Sequence, residues 1–340
     1  METKVLLPTQ ENIETVGQAL SRGALVGIPT ETVYGLAANA LDGEAVSRIF
    51  KAKGRPADNP LIVHISDISQ IERFGLVREI PDGAKKLMDA YWPGPLTIIM
   101  KKGDVPDEVT AGLDTVAVRF PSHPVTQKII DAAECPLAAP SANTSGKPSP
   151  TTAYHVLHDM KGRIPYIVDG GMCEVGVEST VITLAGETPV LLRPGGITPA
   201  QLESVLGHIE IADAVLNKLR DGETAASPGM KYKHYAPGAR IVLIKSDDDK
   251  YIEYVNAQKG TGAAALCYDE DVGRLEVKAY PYGKKNDYDS QSMRLFTVLR
   301  KIDEDAATLV YGRCPDTTGK AMAVYNRLIR AAGFEVIELA

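Results

Sequence analysis

Residues 24–64 read ALVGIPTETVYGLAANALDGEAVSRIFKAKGRPADNPLIVH. The run 24–28 is apolar and β-branched, with the length of a buried strand. Pro29 ends it, and Thr30, Glu31 and Thr32 set three polar side chains at its carboxyl end. Ala45, Val46, Ile49 and Phe50 recur at helical spacing, so a helix follows. Lys51, Lys53 and Arg55 then place cations at alternate positions beside Gly54 and Pro56, and a second strand, 61–65, carries His64. A strand end, a cationic loop and a further strand form a cradle suited to an anionic ligand at the lip of a sheet. The same cations suit an ordinary solvated loop, and spacing alone leaves both readings open.

Further segments stand in order around this one: PSANTSGKPSPT at 140–151, GVESTVI at 176–182, LLRPGGI at 191–197 and SPGMKYKHYAP at 227–237. With PTETVYGLAANA (29–40) and KAKGRPADNPLIVHI (51–65), they resemble the YrdC-like family of threonylcarbamoyl-AMP synthases. The family's Lys-x-Arg and Ser-x-Asn signature corresponds to Lys53-Gly54-Arg55 and Ser141-Ala142-Asn143. Residues 227–237 look like the linker of the long, two-domain form, and the remainder resembles its additional C-terminal domain.

Composition sets wider bounds. A chain of 340 residues with 44% apolar content suggests two ordinary globular domains. A formal net charge of −7 argues against a protein that coats nucleic acid non-specifically, although a local basic patch allows weak contact with tRNA. The chain has no run of 18 apolar residues to span a membrane, and the acidic start METKVLLPTQENIE is no signal peptide, so a cytoplasmic location is expected. Cys135, Cys173, Cys267 and Cys314 lie too far apart for a zinc knuckle or a disulfide framework and read as small buried residues. His155 and His158, three apart on an expected helix, read as a surface pair.

The pattern alternates strands and helices, which makes the class α/β. Residues 66–92 read as a helical stretch with Ile80, Ala84, Leu87, Met88 and Tyr91 on one face. Strands are expected at 96–100, 116–119, 137–139, 166–168, 179–184 and 190–193, and helices at 123–133 and 151–159. The catalytic domain is expected over 1–206, a linker or lid over 207–238, and a smaller Rossmann-like α/β domain over 239–340. That last part contains no G-x-G-x-x-G fingerprint and no P-loop.

The resemblance implies a YrdC-like twisted open α/β sheet and a reaction. L-threonine, bicarbonate and ATP, with Mg²⁺ carried on the phosphates, would give threonylcarbamoyl-AMP and pyrophosphate. A tRNA threonylcarbamoyl transferase would be the partner that uses the product, in tRNAs reading codons that begin with adenine. It also implies roles. Lys53 and Arg55 would hold phosphate or the carbonate-derived group. Arg55, Asn59, Thr115, Ser141, Asn143, Ser149, Arg193 and Tyr235 would meet ATP. Thr32, His64, Arg119, Ala139 and Ser179 would meet threonine, with Arg119 on its carboxylate. Such chemistry brings several anions together and needs fixed cations, Arg for bidentate clamping and Lys as a point charge. The sequence shows no Ser-His-Asp triad, paired-carboxylate device or metal-ligand cluster, and positioning with charge stabilisation suffices for this reaction. The rivals are an RNA-binding module and a carbamoyl-transfer domain of the hydrogenase-maturation type.

Overall fold

A computed structural model describes residues 1–217 and 235–339. The linker cations and aromatics Lys231, Tyr232, Lys233 and His234 therefore lie outside the described residues.

The first domain runs β1 (Lys4–Leu6), α1 (Gln10–Ser21), β2 (Val26–Ile28), β3 (Gly35–Asn39), α2 (Gly43–Lys53), β4 (Ile62–His64), α3 (Ser69–Arg73) and α4 (Asp82–Tyr91). It continues with β5 (Leu96–Lys101), α5 (Asp107–Thr110), β6 (Thr115–Arg119), α6 (Pro124–Ala133), β7 (Leu137–Ala138), α7 (Ala153–Met160), β8 (Tyr166–Val168), β9 (Thr180–Thr183), β10 (Val190–Arg193), α8 (Pro199–Leu206) and β11 (Glu210–Ile211). These strands form one mixed sheet in the order β1-β8-β2-β3-β7-β4-β6-β5-β9-β10-β11.

Helix α2 shows why the sequence folds as it does. Asp42 caps its start by accepting from the amides of Glu44 and Ala45 at 3.0 Å. Gly54 ends it in the left-handed region at φ 62°, the conformation glycine adopts without strain. The face Ala45, Val46, Ile49 and Phe50 is buried in one cluster with Tyr34, Leu36 and Leu61. Burying Ile49 alone stabilises by about 2 kcal/mol.

The structure departs from the sequence reading at several places. Pro29 does end β2, but the chain then folds back as β3, which pairs antiparallel with β2 from Val26↔Ala37 to Ile28↔Gly35. The Thr30 hydroxyl closes that turn, accepting from the Thr32 and Val33 amides at 3.2 Å. The stretch 66–92 holds two helices, because Gly75 adopts φ 57° after α3 and Pro81 begins α4. β1, α1 and α5 were absent from the expectation. The sheet also runs past residue 206, since β11 pairs parallel with β10. His155 is buried and accepts from the Thr151 amide at 3.2 Å, so it is not half of a surface pair. Cys135, Cys173 and Cys267 are buried and Cys314 is half-buried; all four are free thiols.

The second domain comprises β12 (Arg240–Lys245), α9 (Asp248–Asn256), β13 (Ala264–Cys267), β14 (Lys278–Pro281), α10 (Tyr288–Glu304), β15 (Leu309–Arg313), α11 (Ala321–Ala331) and β16 (Val336–Glu338). All five strands are parallel, in the order β14-β13-β15-β12-β16. The α/β alternation is as expected, although this order differs from the common dinucleotide-binding one. At the end of β15, Arg313 is buried, bonds Asp271 at 2.6 and 2.9 Å and stacks 3.9 Å from the Tyr251 ring. Arg313, Asp271 and Tyr251 thus occupy the carboxyl end of β15, one of the strand ends where such sheets usually receive ligands.

Candidate active site

One cavity lies where β4, β6 and β10 end and β9 begins. Its wall is contributed by Thr30, Thr32, Arg55, Ile62, His64, Arg119, Ala139, Ser141, Asn143, Ser149, Glu178, Ser179, Arg193 and Tyr235, with nearby backbone. The strand pairing explains this convergence. β6 runs parallel to β4, and antiparallel β5 places Thr97 opposite Arg119. β9 runs parallel to β5, and antiparallel β10 returns Arg193 opposite Val181.

Arg119 is buried, and its Nη2 donates to Glu31 Oε1 at 2.7 Å. Arg119 Nε and Glu31 Oε2 are buried without a protein partner. One edge of the guanidinium is therefore open to a carboxylate beside an acid able to receive an ammonium. His64 Nδ1 lies 3.0 Å from the Ile62 carbonyl. Burial, and then the Arg119 charge, draw its pKa down to about 3, so the ring is neutral at working pH. Arg193 donates to the Ser179 carbonyl at 3.0 Å and to the Ser179 hydroxyl at 3.1 Å, and that hydroxyl sits 2.8 Å from Thr97 Oγ1. Burial pushes Arg193 down to about 10, which leaves it charged at neutral pH.

Lys53 occupies a different place from the one expected. It is 2% exposed and is not on the cavity wall. Its ammonium donates to the Ser141 carbonyl and to the Asn143 carbonyl at 2.6 Å, with Asn143 Oδ1 at 3.5 Å. The Ser145 amide bonds back to the Lys53 carbonyl at 2.9 Å. The reason is geometric: Lys53 closes the last turn of α2, whose inner face is buried, whereas Arg55 lies past Gly54 and turns to the cavity. Lys53 therefore shapes the 141–149 loop. Within that loop Ser141 Oγ donates to Asn143 Oδ1 at 2.6 Å, and Asn143 Nδ2 donates to the Thr144 and Lys147 carbonyls at 2.8 Å.

Eleven of the fourteen expected site residues meet on this wall; Lys53, Asn59 and Thr115 do not. Asn59 is buried, and its carbonyl accepts from Arg55 Nη2 at 3.3 Å. Thr115 begins β6, four residues before Arg119, or about 13 Å away along an extended strand. Tyr235 is buried at φ 63°, with its ring 5.2 Å from that of Phe296 in the second domain. Glu178 and Glu31 were missed as partners. Both stood inside quoted motifs, and a lone acid there gives no sign of which cation it meets. Among the described residues no group of three or more His, Cys, Asp or Glu side chains is placed to hold a metal ion.

Comparison with known proteins gives a direct result. Residues 18–195 match the Sua5/yciO/yrdC family, described as "Telomere recombination", and residues 197–333 match "Threonylcarbamoyl-AMP synthase, C-terminal domain". The chain belongs to the threonylcarbamoyl-AMP synthase family. Among relatives bearing that name, the protein of Pyrococcus abyssi is 46% identical over 330 residues, covering 94% of each chain. That of Bacillus subtilis is 43% identical over 340 residues, covering 98% of this chain and 97% of its own. A crystal structure of P. abyssi Sua5 complexed with L-threonine matches with a TM-score of 0.91 at 43% identity, covering all of both chains. Family membership thus extends over both domains.

Proposed function

We propose that this chain is a threonylcarbamoyl-AMP synthase, a nucleotidyltransferase that joins L-threonine, bicarbonate and ATP into threonylcarbamoyl-AMP with release of pyrophosphate. The observation that carries the reading is the convergence of Arg55, Arg119 and Arg193 on one cavity with the Ser-x-Asn loop. Arg119 binds the threonine carboxylate through its open edge, and Glu31 receives the ammonium. Thr32, neutral His64, Ala139 and Ser179 shape that subsite. Arg55, with Asn59 beside it, and Arg193 neutralise the phosphates, while Ser141, Asn143 and Ser149 supply polar contacts to the nucleotide. Tyr235 closes the wall from the second domain's side.

Carbamate forms when the threonine amine, having lost a proton, attacks the bicarbonate carbon and hydroxide leaves as water. The carbamate oxygen then attacks the α-phosphorus, and pyrophosphate departs. Both steps gather negative charge, so fixed guanidiniums and exclusion of water lower the barrier. Mg²⁺ enters as part of the MgATP substrate. Thr115 stands apart from this set, and its proposed nucleotide contact would require the ligand to reach along β6. We infer that the adenylate is consumed by a tRNA threonylcarbamoyl transferase and that the protein works in the cytoplasm. No helix among the described residues is long and apolar enough to cross a membrane.

The test is product formation by the purified full chain with MgATP, threonine and labelled bicarbonate. Mass spectrometry should show labelled threonylcarbamoyl-AMP with stoichiometric pyrophosphate. Pyrophosphate released at the same rate without threonine would overturn the assignment.

A further inference from the structure

The second domain reaches the cavity from behind through α11. Arg327 is fully buried, and its Nε donates to Glu178 Oε2 at 2.8 Å. Its Nη2 donates to the Glu178 carbonyl at 3.2 Å, and its Nη1 to the Pro194 carbonyl at 2.7 Å. One guanidinium thus grips the residue before Ser179 and the residue after Arg193. Flanking positions of α11 add to the grip: Asn326 Nδ2 donates to the Val215 carbonyl and Arg330 Nη2 to the Ala214 carbonyl, each at 2.6 Å. The approach is close elsewhere too, since a Cβ on Gly176 would fall 2.3 Å from the Met293 Cα of α10.

Glu178 uses both carboxylate oxygens. Oε2 receives Arg327, and Oε1 receives the Ser149 hydroxyl. A serine hydroxyl has a single proton to donate. With that proton directed at Glu178, Ser149 offers only lone pairs to the cavity. It can accept from a hydroxyl or amino group of the nucleotide and cannot donate to a phosphate oxygen.

We propose that Arg327 of the second domain is a positioning residue of the active site, holding Glu178 as a carboxylate and so fixing Ser149 as a hydrogen-bond acceptor for the nucleotide. Burial works against the Glu178 charge, but Arg327, Arg193 and the Ser149 hydroxyl outweigh it and hold the carboxyl below its ordinary value. The charged and titratable groups facing Glu178 are Arg327 from α11, Arg193 from β10, Lys53 from α2 and Tyr235, which precedes β12. Arg327 is the one that bonds its carboxylate directly from the second domain. Without it, the buried acid takes up a proton at higher pH. It then has a proton to give to Ser149, and the serine's own proton is released towards the ligand. The polarity of the contact inverts.

The proposal rests on ATP being a substrate, and its test separates the two. Steady-state pyrophosphate release is measured for the full chain and its variants while ATP and threonine are varied in turn, from pH 6 to pH 9. Arg327→Met should raise the ATP KM about tenfold or more and the threonine KM much less. Its activity relative to the parent should climb with pH, as Glu178 regains its charge. Glu178→Gln should show a comparable ATP defect that is flat across the same range, and the double variant should be no worse than either single one. Arg327→Lys, which keeps a cation, should recover much of the parent pH profile. If Arg327→Met does not fold, the double variant, which removes the Arg327–Glu178 pair as a whole, carries the comparison: a parent-like ATP KM there overturns the proposal. So does Arg327→Met with the parent's ATP KM and pH profile, or strict additivity in the double variant. A parent enzyme without threonine-dependent pyrophosphate release would instead overturn the functional reading.

Discussion

Replacing Lys53 by Met tests whether this signature lysine builds the site or touches the ligand. The ammonium is enclosed by two backbone carbonyls and the Asn143 side chain, at 2% exposure. Met retains the apolar stem and removes the donor. The Ser141 and Asn143 carbonyls then lose a buried partner, and each orphaned acceptor costs about 1–3 kcal/mol. Some of that is recovered because a buried charge no longer has to be desolvated, so the net loss is about 2–4 kcal/mol. For a domain of this size the thermal midpoint should fall by roughly 5–15 °C. Turnover should fall as well, because the 141–149 loop loses its anchor. Arg55→Ala provides the contrast. Arg55 is half-buried on the cavity wall, so turnover should drop at least about tenfold while the midpoint moves by no more than about 2 °C. Thermal unfolding followed by circular dichroism, alongside pyrophosphate release, reads both quantities. A Lys53→Met protein as stable as the parent but inactive would refute the strut and place the ammonium on the ligand.

Two further outcomes follow from the geometry. Arg119→Ala should raise the threonine requirement far more than that for ATP, because its open edge faces the carboxylate subsite; an equal rise in both KM values would move Arg119 to the nucleotide. Burial, first of all, holds the His64 and His155 pKa values near 3 and 4, below the unfolded value of about 6.5. The unfolded chain therefore binds more protons as pH falls through that window, and stability should decline from about pH 6.5 towards pH 4. His155→Gln, away from the cavity wall, should make the decline of the thermal midpoint with pH shallower, and an unchanged slope would exclude His155 as a contributor.

How much of this was legible depends on which interactions are local. The helix within 24–64 announced itself through the spacing of Ala45, Val46, Ile49 and Phe50, and that face is the buried one in α2. The strand at 35–39 did not, because GLAAN is short, small and without alternation, and only pairing with β2 and β7 makes it a strand. In the segment 66–92 the face Ile80, Ala84, Leu87, Met88 and Tyr91 belongs to α4 and its lead-in, and Gly75 and Pro81 separate it from α3. The site divides in the same way. Arg55, Arg119 and Arg193 stand at element ends, where a cation can be read as facing a pocket. Lys53 stands two residues from Arg55 and looks equivalent in sequence. A left-handed Gly54 between them sends one side chain inward and the other to the cavity.

The charges of the site show why a second domain matters to it. Three guanidiniums share a cavity from which water is partly excluded, and like charges there repel by several kcal/mol. Glu31 offsets Arg119 within the first domain. Glu178 faces Arg193, but a single buried carboxylate at that depth is itself costly unless its oxygens are bonded. Ser149 bonds one oxygen and α11 bonds the other through Arg327. Adding a cation to stabilise an anion within a cationic pocket looks perverse until the distances are compared. Arg327 bonds the Glu178 oxygen that Ser149 does not, and its other donors go to the Glu178 and Pro194 carbonyls and to Asn326 Oδ1. Arg327 is bonded to protein groups and is not on the cavity wall, whereas Arg55, Arg119 and Arg193 line it. The second domain thus contributes to the site through α11: where it covers Glu178 it also supplies the cation that keeps the covered carboxylate oxygen bonded.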